Sequence, residues 1–304
     1  MEYQHTLAGS ASFSGVGLHT GVEVSIRLLP APANHGIVFR RTDLEGFKVE
    51  AQAKNVARVS YATSLMKKGV LISTTEHLLS ALMGCGVDNV VVEIDSLEVP
   101  IGDGSALPFV RLLEQVGRKK QRARRIYLQV QKPVEVSDGK RRVAVYPSDR
   151  FSYSVSCRIE FDHPLVDVQR MDFELEAEAY KGAIAPARTF GFFREVEALR
   201  QSGLVQGGSL KNAVVLTDDG VMNPEGLRFP DEFCRHKILD LIGDFALLGH
   251  PLLGHVEAER AGHALHYALV SKLMKDKSLT KRVSSDRDRS RSVRVQPVLE
   301  PVGA

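Results

Sequence analysis

Hydrophobic and polar residues alternate along several segments of the chain, in the pattern typical of half-buried β-strands. In the first part of the sequence this alternation is clear in VEVSIRL, residues 22–28. From Ser73 onward the spacing of apolar residues becomes helical. The second part repeats the change, with strand-like segments between residues 127 and 159 and a helical pattern near Phe233. The sequence therefore predicts an α+β fold.

The helical portions of the two parts have the same order of elements. A helix over about residues 74–83 is followed by a strand at 90–94 and by a second helix beginning near Ser105. In the later part a helix over about 232–248 is followed by a strand near 254–259 and a helix beginning near His263. This order indicates an internal repeat.

The spacing between the two parts supports a duplication. Glu76 and His236 are 160 positions apart, and Ser105 and His263 are 158 positions apart. We therefore expect two duplicated α/β-layer domains, residues 1–126 and 127–280, packed as a sandwich with small inserts in each. The active site is expected between the two domains, where their first helices could both contribute side chains.

The predicted helix at 233–245 carries two separate stripes. Its core stripe consists of Cys234, Ile238, Leu241, Ile242 and Phe245. The second stripe contains His236, Asp240 and Asp244 at i, i+4 and i+8. An imidazole and a carboxylate one turn apart can bind one metal ion. The same spacing also suits a solvated face with His236–Asp240 and Lys237–Asp240 pairs, so the helix alone leaves both interpretations open.

The segment STTEH at 73–77 also allows two interpretations. Ser73 and Glu76 have the spacing of a capping box, in which Glu76 would reach back to the helix start. Alternatively, His77 completes a two-histidine, one-carboxylate metal site while Glu76 accepts the proton of the attacking water. The repeat favours the second interpretation because it places His77 and His236 on corresponding helices.

His263 opens the last predicted helix. Near a helix N-terminus the dipole disfavours a protonated imidazole, so a carboxylate partner would be needed to keep His263 cationic. Asp244 is the candidate partner. A solvent-facing histidine in the cap region is the alternative.

Positive charge is concentrated at the end of the chain. The 304 residues have a formal net charge of +3, and residues 1–280 hold 34 charges of each sign. This balance argues against a broad nucleic-acid surface. We expect the basic cluster KKQRARR at 119–125 to be an exposed linker and residues 281–304 to be a disordered tail. The tail suits either recognition by a protease or a nonspecific polyanion contact.

Other sequence features limit the class of protein and its cellular compartment. The sequence contains no run of about 18 apolar residues that could span a bilayer, and its N-terminus lacks signal-peptide character. Cys85, Cys157 and Cys234 are far apart and odd in number, which is unlike a disulfide framework or a CxxC metal site. We expect a cytoplasmic protein in a reducing compartment, and nothing demands more than a monomer.

The sequence resembles the UDP-3-O-acyl-N-acetylglucosamine deacetylase family, zinc amidases that commit the lipid A pathway in Gram-negative bacteria. The matching blocks lie in order across nearly all of residues 1–275, which is more specific than any single motif. They are GVGLHTG (15–21), TTEH (74–77), IGDGS (101–105), ARTFG (187–191), RHKILDLIGD (235–244) and GHAL (262–265).

The resemblance implies a zinc-dependent amide hydrolase. His77, His236 and Asp240 would bind Zn²⁺, although this ligand set also tolerates Fe²⁺. Glu76 would act as general base, and Thr189 with the metal would stabilise the oxyanion.

The resemblance also assigns the proton donor. His263, kept cationic by Asp244, would stabilise the oxyanion and protonate the departing amine, because an amide anion is too poor a leaving group.

The substrate implied by the resemblance is a UDP-linked acylated amino sugar. Lys237 would meet the diphosphate and Phe161 would stack on uracil. His19, Phe190, Gly191 and Arg260 would lie near the glucosamine or the nucleotide. An insert at about 192–216 would form a hydrophobic passage for the acyl chain, although its residues also suit an ordinary small core.

Two other classes of function remain open from the residues alone. Two histidines and one carboxylate also define the facial triad of non-haem Fe(II) oxygenases. A non-catalytic nucleotide- or RNA-binding module could use KKQRARR and the basic tail. Glu76 discriminates between them and a hydrolase, because neither an oxygenase nor a simple binder requires it.

Overall fold

A computed structural model describes residues 2–284 of the chain. Its first part consists of the following strands and helices: β1 (Tyr3–Leu7), β2 (Ala11–Val16), β3 (Glu23–Pro30), β4 (Ile37–Arg41), β5 (Phe47–Glu50), β6 (Val56–Arg58), β7 (Ser64–Lys67), β8 (Val70–Ile72), α1 (Glu76–Gly84), β9 (Val90–Ile94), α2 (Leu107–Val116) and β10 (Arg118–Arg124).

The second part continues with these elements: β11 (Ile126–Val130), β12 (Val134–Asp138), β13 (Arg141–Tyr146), β14 (Tyr153–Glu160), β15 (Val168–Glu174), α3 (Ala177–Ala179), β16 (Phe190–Phe192), α4 (Phe193–Gln201), β17 (Val214–Leu216), α5 (Glu232–Phe245), β18 (Leu252–Glu259), α6 (His263–Lys275) and β19 (Thr280–Ser284). Helix α3 continues into a π-helical turn, Tyr180–Ile184.

The first part contains a five-stranded sheet with the order β2-β3-β9-β4-β5, in which β4 and β9 are parallel. Alternation along β3 buries Val24, Ile26 and Leu28 and leaves the residues between them exposed. This strand confirms the prediction for residues 22–28. A hairpin-like sheet of β6, β7 and β8 precedes helix α1.

The second part is organised around β18. This strand pairs with β13 antiparallel and with β11 and β14 parallel. Strand β15 adds to β14, β12 adds to β13, and β19 adds to β11, which gives a seven-stranded sheet. Along β18, Val256 and Ala258 are buried while His255, Glu257 and Glu259 are partly exposed, so one face of this sheet lies against the core.

The predicted order of helix, strand and helix occurs in both parts, as α1, β9, α2 and as α5, β18, α6. The α+β fold is thereby confirmed. Helix α1 packs on α2 and across the molecule on α5, and α5 packs on α6 and β14. One buried cluster extends through both parts. The division into domains 1–126 and 127–280 stays a prediction.

Glycine permits the close contact between α1 and α5. A Cβ atom added to Gly243 would lie 2.1 Å from the backbone oxygen of Glu76, so any side chain there would push the two helices apart. The contact brings the start of α1, which carries His77, against the C-terminal half of α5, which carries Asp240. These are the two places where the sequence predicts metal ligands.

Two expectations about basic segments were wrong. KKQRARR is partly exposed, as expected, but it is not a linker, because most of it belongs to strand β10, which pairs antiparallel with β1. Lys120 Nζ lies 4.1 Å from the centre of the Tyr3 ring. This ribbon buries little apolar surface, so the strand has no hydrophobic alternation that would reveal it.

The second error concerns the start of the tail. Residues 281–284 belong to β19, which pairs with β11. The disorder and the protease contact predicted for the rest of the tail concern residues 285–304, outside the described residues. No helix within residues 2–284 is long and apolar enough to cross a membrane.

Candidate active site

Helices α1 and α5 bring His77, His236 and Asp240 together, as the sequence predicts. One ligand atom from each residue lies within 4.8 Å of the others. Asp240 Oδ1 is 3.3 Å from His236 Nε2 and 3.7 Å from His77 Nε2. The three residues are at most 4% exposed. The face of α5 that carries His236 and Asp240 is therefore buried, and the solvated-face interpretation was wrong.

The charges of this cluster suit a divalent metal ion. Burial, together with the neighbouring His236, lowers the pKa of His77 to about 3, and burial also lowers the pKa of His236. Both imidazoles are consequently neutral and can offer a nitrogen lone pair. Burial alone would raise the pKa of Asp240, but nearby positive charges, among them the Lys237 ammonium and the His263 imidazolium, outweigh it and hold this pKa well below its usual range.

Neighbouring groups orient two of these side chains. His236 Nδ1 donates a hydrogen bond to the Ala187 carbonyl at 3.0 Å, which leaves Nε2 to face Asp240. Lys237 Nζ donates to Asp240 Oδ2 at 2.9 Å, so Oδ1 remains directed toward the histidines. His77 Nδ1 is buried without a hydrogen-bond partner among residues 2–284. Two neutral imidazoles and one carboxylate form a donor set that fits Zn²⁺ or Fe²⁺.

Glu76 lies beside the cluster at the first position of α1. Its Oε2 accepts a hydrogen bond from the Thr63 backbone N–H at 3.0 Å. The capping box was wrong: no side chain caps this helix, and the Ser73 hydroxyl contacts that of Ser64 instead. Burial raises the pKa of Glu76 to about 7. A carboxyl group with this pKa is well suited to exchange protons near neutral pH.

The predicted partnership of His263 and Asp244 is present. His263 Nδ1 donates to Asp244 Oδ2 at 2.7 Å. Burial would lower the pKa of His263, but Asp244 outweighs it and raises this pKa to about 10. The other imidazole nitrogen, Nε2, lies 3.8 Å from Glu76 Oε1. The protonated imidazole therefore faces the same space as the general-base candidate, and the solvent-facing interpretation was wrong.

Two residues that contact Asp244 were not predicted from the sequence. His266 Nδ1 donates to Asp244 Oδ2 at 2.8 Å, and the Thr63 hydroxyl donates to Asp244 Oδ1 at 2.6 Å. His266 follows His263 by three positions on α6, so helical spacing could have revealed it. Thr63 is 181 positions from Asp244 and carries no sequence signal that would connect the two.

A buried ion pair supports the segment that contains Thr189. Arg188 is 3% exposed and Glu232 is fully buried, and Arg188 Nε donates to Glu232 Oε1 at 2.9 Å. The Arg188 backbone N–H donates to the same oxygen at 3.0 Å. Because Glu232 is the first residue of α5, this pair fixes residues 187–189 against the helix that carries His236. This pair was not predicted from the sequence.

The residues expected at the substrate lie on several sides of the cluster. The ring centres of Phe161 and Phe190 are 5.7 Å apart, and Phe190 is 6.5 Å from the His236 ring. The Arg260 guanidinium pairs with Glu160, immediately before Phe161. Lys237 Nζ lies 5.6 Å from the centre of the Phe190 ring. Phe161, Phe190 and Lys237 are thus close to one another near the predicted ligands.

The insert forms a β16-α4-β17 unit whose two strands are parallel. It borders a cavity of about 280 Å³ that extends to exposed apolar residues such as Phe193 and Met222. His19, Thr189, Phe190 and Gly191 also line this cavity. A larger cavity of about 670 Å³ adjoins it at His19 and Tyr61.

Comparison with known proteins agrees with this arrangement. The family model for UDP-3-O-acyl N-acetylglycosamine deacetylase matches residues 4–275. The chain belongs to this family. A UDP-3-O-acyl-N-acetylglucosamine deacetylase from Solibacter usitatus (strain Ellin6076) is 52% identical over 291 residues, covering 96% of this chain and 98% of the relative. One of the same name from Geobacter sp. (strain M21) is 49% identical over 276 residues, covering 90% of each.

Membership of the deacetylase family agrees with the resemblance noted in the sequence. The matched region contains every residue predicted to bind metal, to transfer protons or to contact substrate. It ends at the last residue of α6 and so leaves out β19.

Proposed function

We propose that the chain is a zinc-dependent amide hydrolase that removes acetate from UDP-3-O-acyl-N-acetylglucosamine. The product would be UDP-3-O-acyl-glucosamine, and the reaction would be the committed step of lipid A biosynthesis. The observation that carries this proposal is that the buried His77–His236–Asp240 cluster, Glu76 and His263 lie side by side, with His263 Nε2 3.8 Å from Glu76 Oε1. Hydrolysis of an amide requires these three functions together.

Zn²⁺ held by His77, His236 and Asp240 would supply Lewis-acid activation of the attacking water and of the amide carbonyl. Glu76 accepts a proton from that water while the water oxygen forms a bond to the carbonyl carbon. The Thr189 hydroxyl donates a hydrogen bond to the oxygen on which negative charge develops.

His263 completes the reaction as a general acid. The carbon–nitrogen bond breaks while the protonated imidazole gives its proton to the departing nitrogen. The products are acetate and a free amine. Asp244 keeps His263 protonated before each turnover, since the pKa of His263 is about 10 when the two side chains are paired.

The remaining residues would bind the two ends of the substrate. We assign Phe161 to the uracil ring and Lys237 to the diphosphate, with His19, Phe190, Gly191 and Arg260 around the sugar and nucleotide. The cavity bordered by the insert would hold the acyl chain, because its lining is mostly apolar. We also propose that the protein acts as a monomer in the cytoplasm, in keeping with its three free cysteines.

The test measures acetate release from two UDP-sugars, in air and under argon. Purified protein should release acetate from UDP-3-O-acyl-N-acetylglucosamine and do so far more slowly from UDP-N-acetylglucosamine, which lacks the acyl chain. The rate should be the same in air and under argon. Turnover that requires oxygen would favour the Fe(II) oxygenase instead, and binding without turnover would favour the nucleotide-binding module.

A further inference from the structure

Thr63 contacts the side chains of Glu76 and Asp244, which are the proposed general base and the partner of the proposed general acid. It lies in the loop between β6 and β7 and is 2% exposed. Its backbone N–H donates to Glu76 Oε2 at 3.0 Å, and its hydroxyl donates to Asp244 Oδ1 at 2.6 Å. One residue therefore links the proposed base on α1 to the partner of the proposed acid on α5.

The neighbouring groups show that the Thr63 hydroxyl donates its hydrogen bond to Asp244. Thr63 Oγ1 also lies 3.2 Å from His263 Nδ1, but that nitrogen is closer to Asp244 Oδ2, at 2.7 Å. The His263 imidazole therefore donates its Nδ1 proton to Asp244 Oδ2. The Thr63 hydroxyl is left to donate its single proton to Asp244 Oδ1. Both oxygens of the carboxylate are then fixed, which sets the plane of the group.

Thr63 is itself held in place. Its carbonyl accepts hydrogen bonds from the Thr75 hydroxyl at 3.0 Å and from the Thr75 backbone N–H at 3.2 Å. Thr75 is fully buried and directly precedes α1. The position of Thr63 is thus coupled to the helix that carries Glu76 and His77.

We propose that Thr63 is a positioning residue that orients Asp244, and through it His263, relative to Glu76. This inference rests on the proposed function, because it assigns Asp244 and His263 to proton donation. Loss of the hydroxyl would leave one oxygen of a buried carboxylate without its donor. Asp244 could then rotate, and His263 would face the leaving nitrogen less often.

Two substitutions separate the hydroxyl from the shape of the side chain. Thr63→Val replaces the hydroxyl by a methyl group of similar size, and Thr63→Ser keeps the hydroxyl. We expect Thr63→Val to lower kcat about 10- to 100-fold with KM and bound metal unchanged. Thr63→Ser should recover most of the lost kcat. Equal kcat in the Val variant and the wild type, or equal losses in Val and Ser, would overturn the proposal.

Thr6 provides a matched control. It is 4% exposed, and its hydroxyl donates to the Asn89 carbonyl at 2.7 Å, far along the chain from the site. Thr6→Val makes the same chemical change in another buried position. It should lower the melting temperature without the loss of kcat that Thr63→Val produces.

A second measurement does not depend on the proposed function. In metal-loaded protein, Thr63→Val should lower the melting temperature by about 2 °C or more when Asp244 is present. In the Asp244→Ala background the same substitution should change it little. Equal shifts in both backgrounds would refute the link between Thr63 and Asp244. If the wild type released no acetate, the proposed function would be wrong. The comparison of melting temperatures with and without Asp244 would still test the link between Thr63 and Asp244.

Discussion

His263 Nδ1 lies 2.7 Å from Asp244 Oδ2, and the two side chains are 11% and 2% exposed. The pair stabilises both charges: the pKa of His263 is raised to about 10, and that of Asp244 is lowered to about 2 against the effect of burial. Because His263 gains affinity for its proton on folding, its contribution to stability is complete below its ordinary pKa of about 6.5 and is lost as pH rises through about 10.

The decrease of kcat/KM at alkaline pH should depend on the pairing of His263 with Asp244. We expect kcat/KM to fall as His263 loses its proton near pH 10. Asp244→Asn removes the negative charge that raises the pKa of His263, so the decrease should move toward neutral pH by at least about one unit. Rate profiles between pH 6 and 11 test this. The control Asp276→Asn, at an exposed carboxylate beyond α6, should leave the decrease in place.

Glu76 and the metal ligands should differ in what their loss removes. Glu76→Gln keeps the shape of the side chain and lies outside the ligand set, so metal content should be retained while turnover falls at least about 100-fold. His77→Ala and Asp240→Ala should lose both metal and turnover. Metal analysis of each purified variant beside its rate distinguishes these outcomes. Near-native turnover in Glu76→Gln would contradict the assignment of the base.

The buried pair of Arg188 and Glu232 should be important for stability. Glu232→Leu leaves the Arg188 guanidinium buried without this partner, and we expect the free energy of unfolding to fall by about 3–5 kcal/mol. Urea unfolding measures the change. The comparison is Glu178→Leu, which removes an exposed carboxylate paired with Lys181 and should cost less than about 1 kcal/mol.

The cavity of the insert should discriminate between acyl chains. Val215 lines this cavity, and Val215→Trp would occupy part of its volume of about 280 Å³. Turnover of a substrate with a long acyl chain should fall more than turnover of one with a short chain. Leu44→Trp, at an exposed position remote from the insert, is the control. Equal losses for both substrates would argue against the passage.

The sequence predicted those parts of the molecule that depend on local periodicity. Alternation located β3, and helical spacing placed His236, Asp240 and Asp244 on one face of α5. The internal repeat added the information that α1 and α5 correspond, so His77 could be expected near His236. Their ring centres are 5.0 Å apart in the structure.

Other features depend on tertiary contacts and left no local pattern. Strand β10 is composed mainly of charged residues because it belongs to an exposed ribbon, where packing does not select apolar side chains. Thr63 lies in a short loop, and its role depends on contacts with Glu76 on α1 and Asp244 on α5 that are distant in the sequence. Glu76 had the spacing of a cap, but its carboxylate accepts a bond from Thr63 instead.

The central claim is that a metal held by His77, His236 and Asp240 is required for release of acetate. Protein stripped of metal with a chelator should release no acetate from UDP-3-O-acyl-N-acetylglucosamine, and one equivalent of Zn²⁺ should restore the original rate. Parallel addition of Fe²⁺ would show whether the site also works with that ion. Full activity in protein shown by metal analysis to be metal-free would contradict the account.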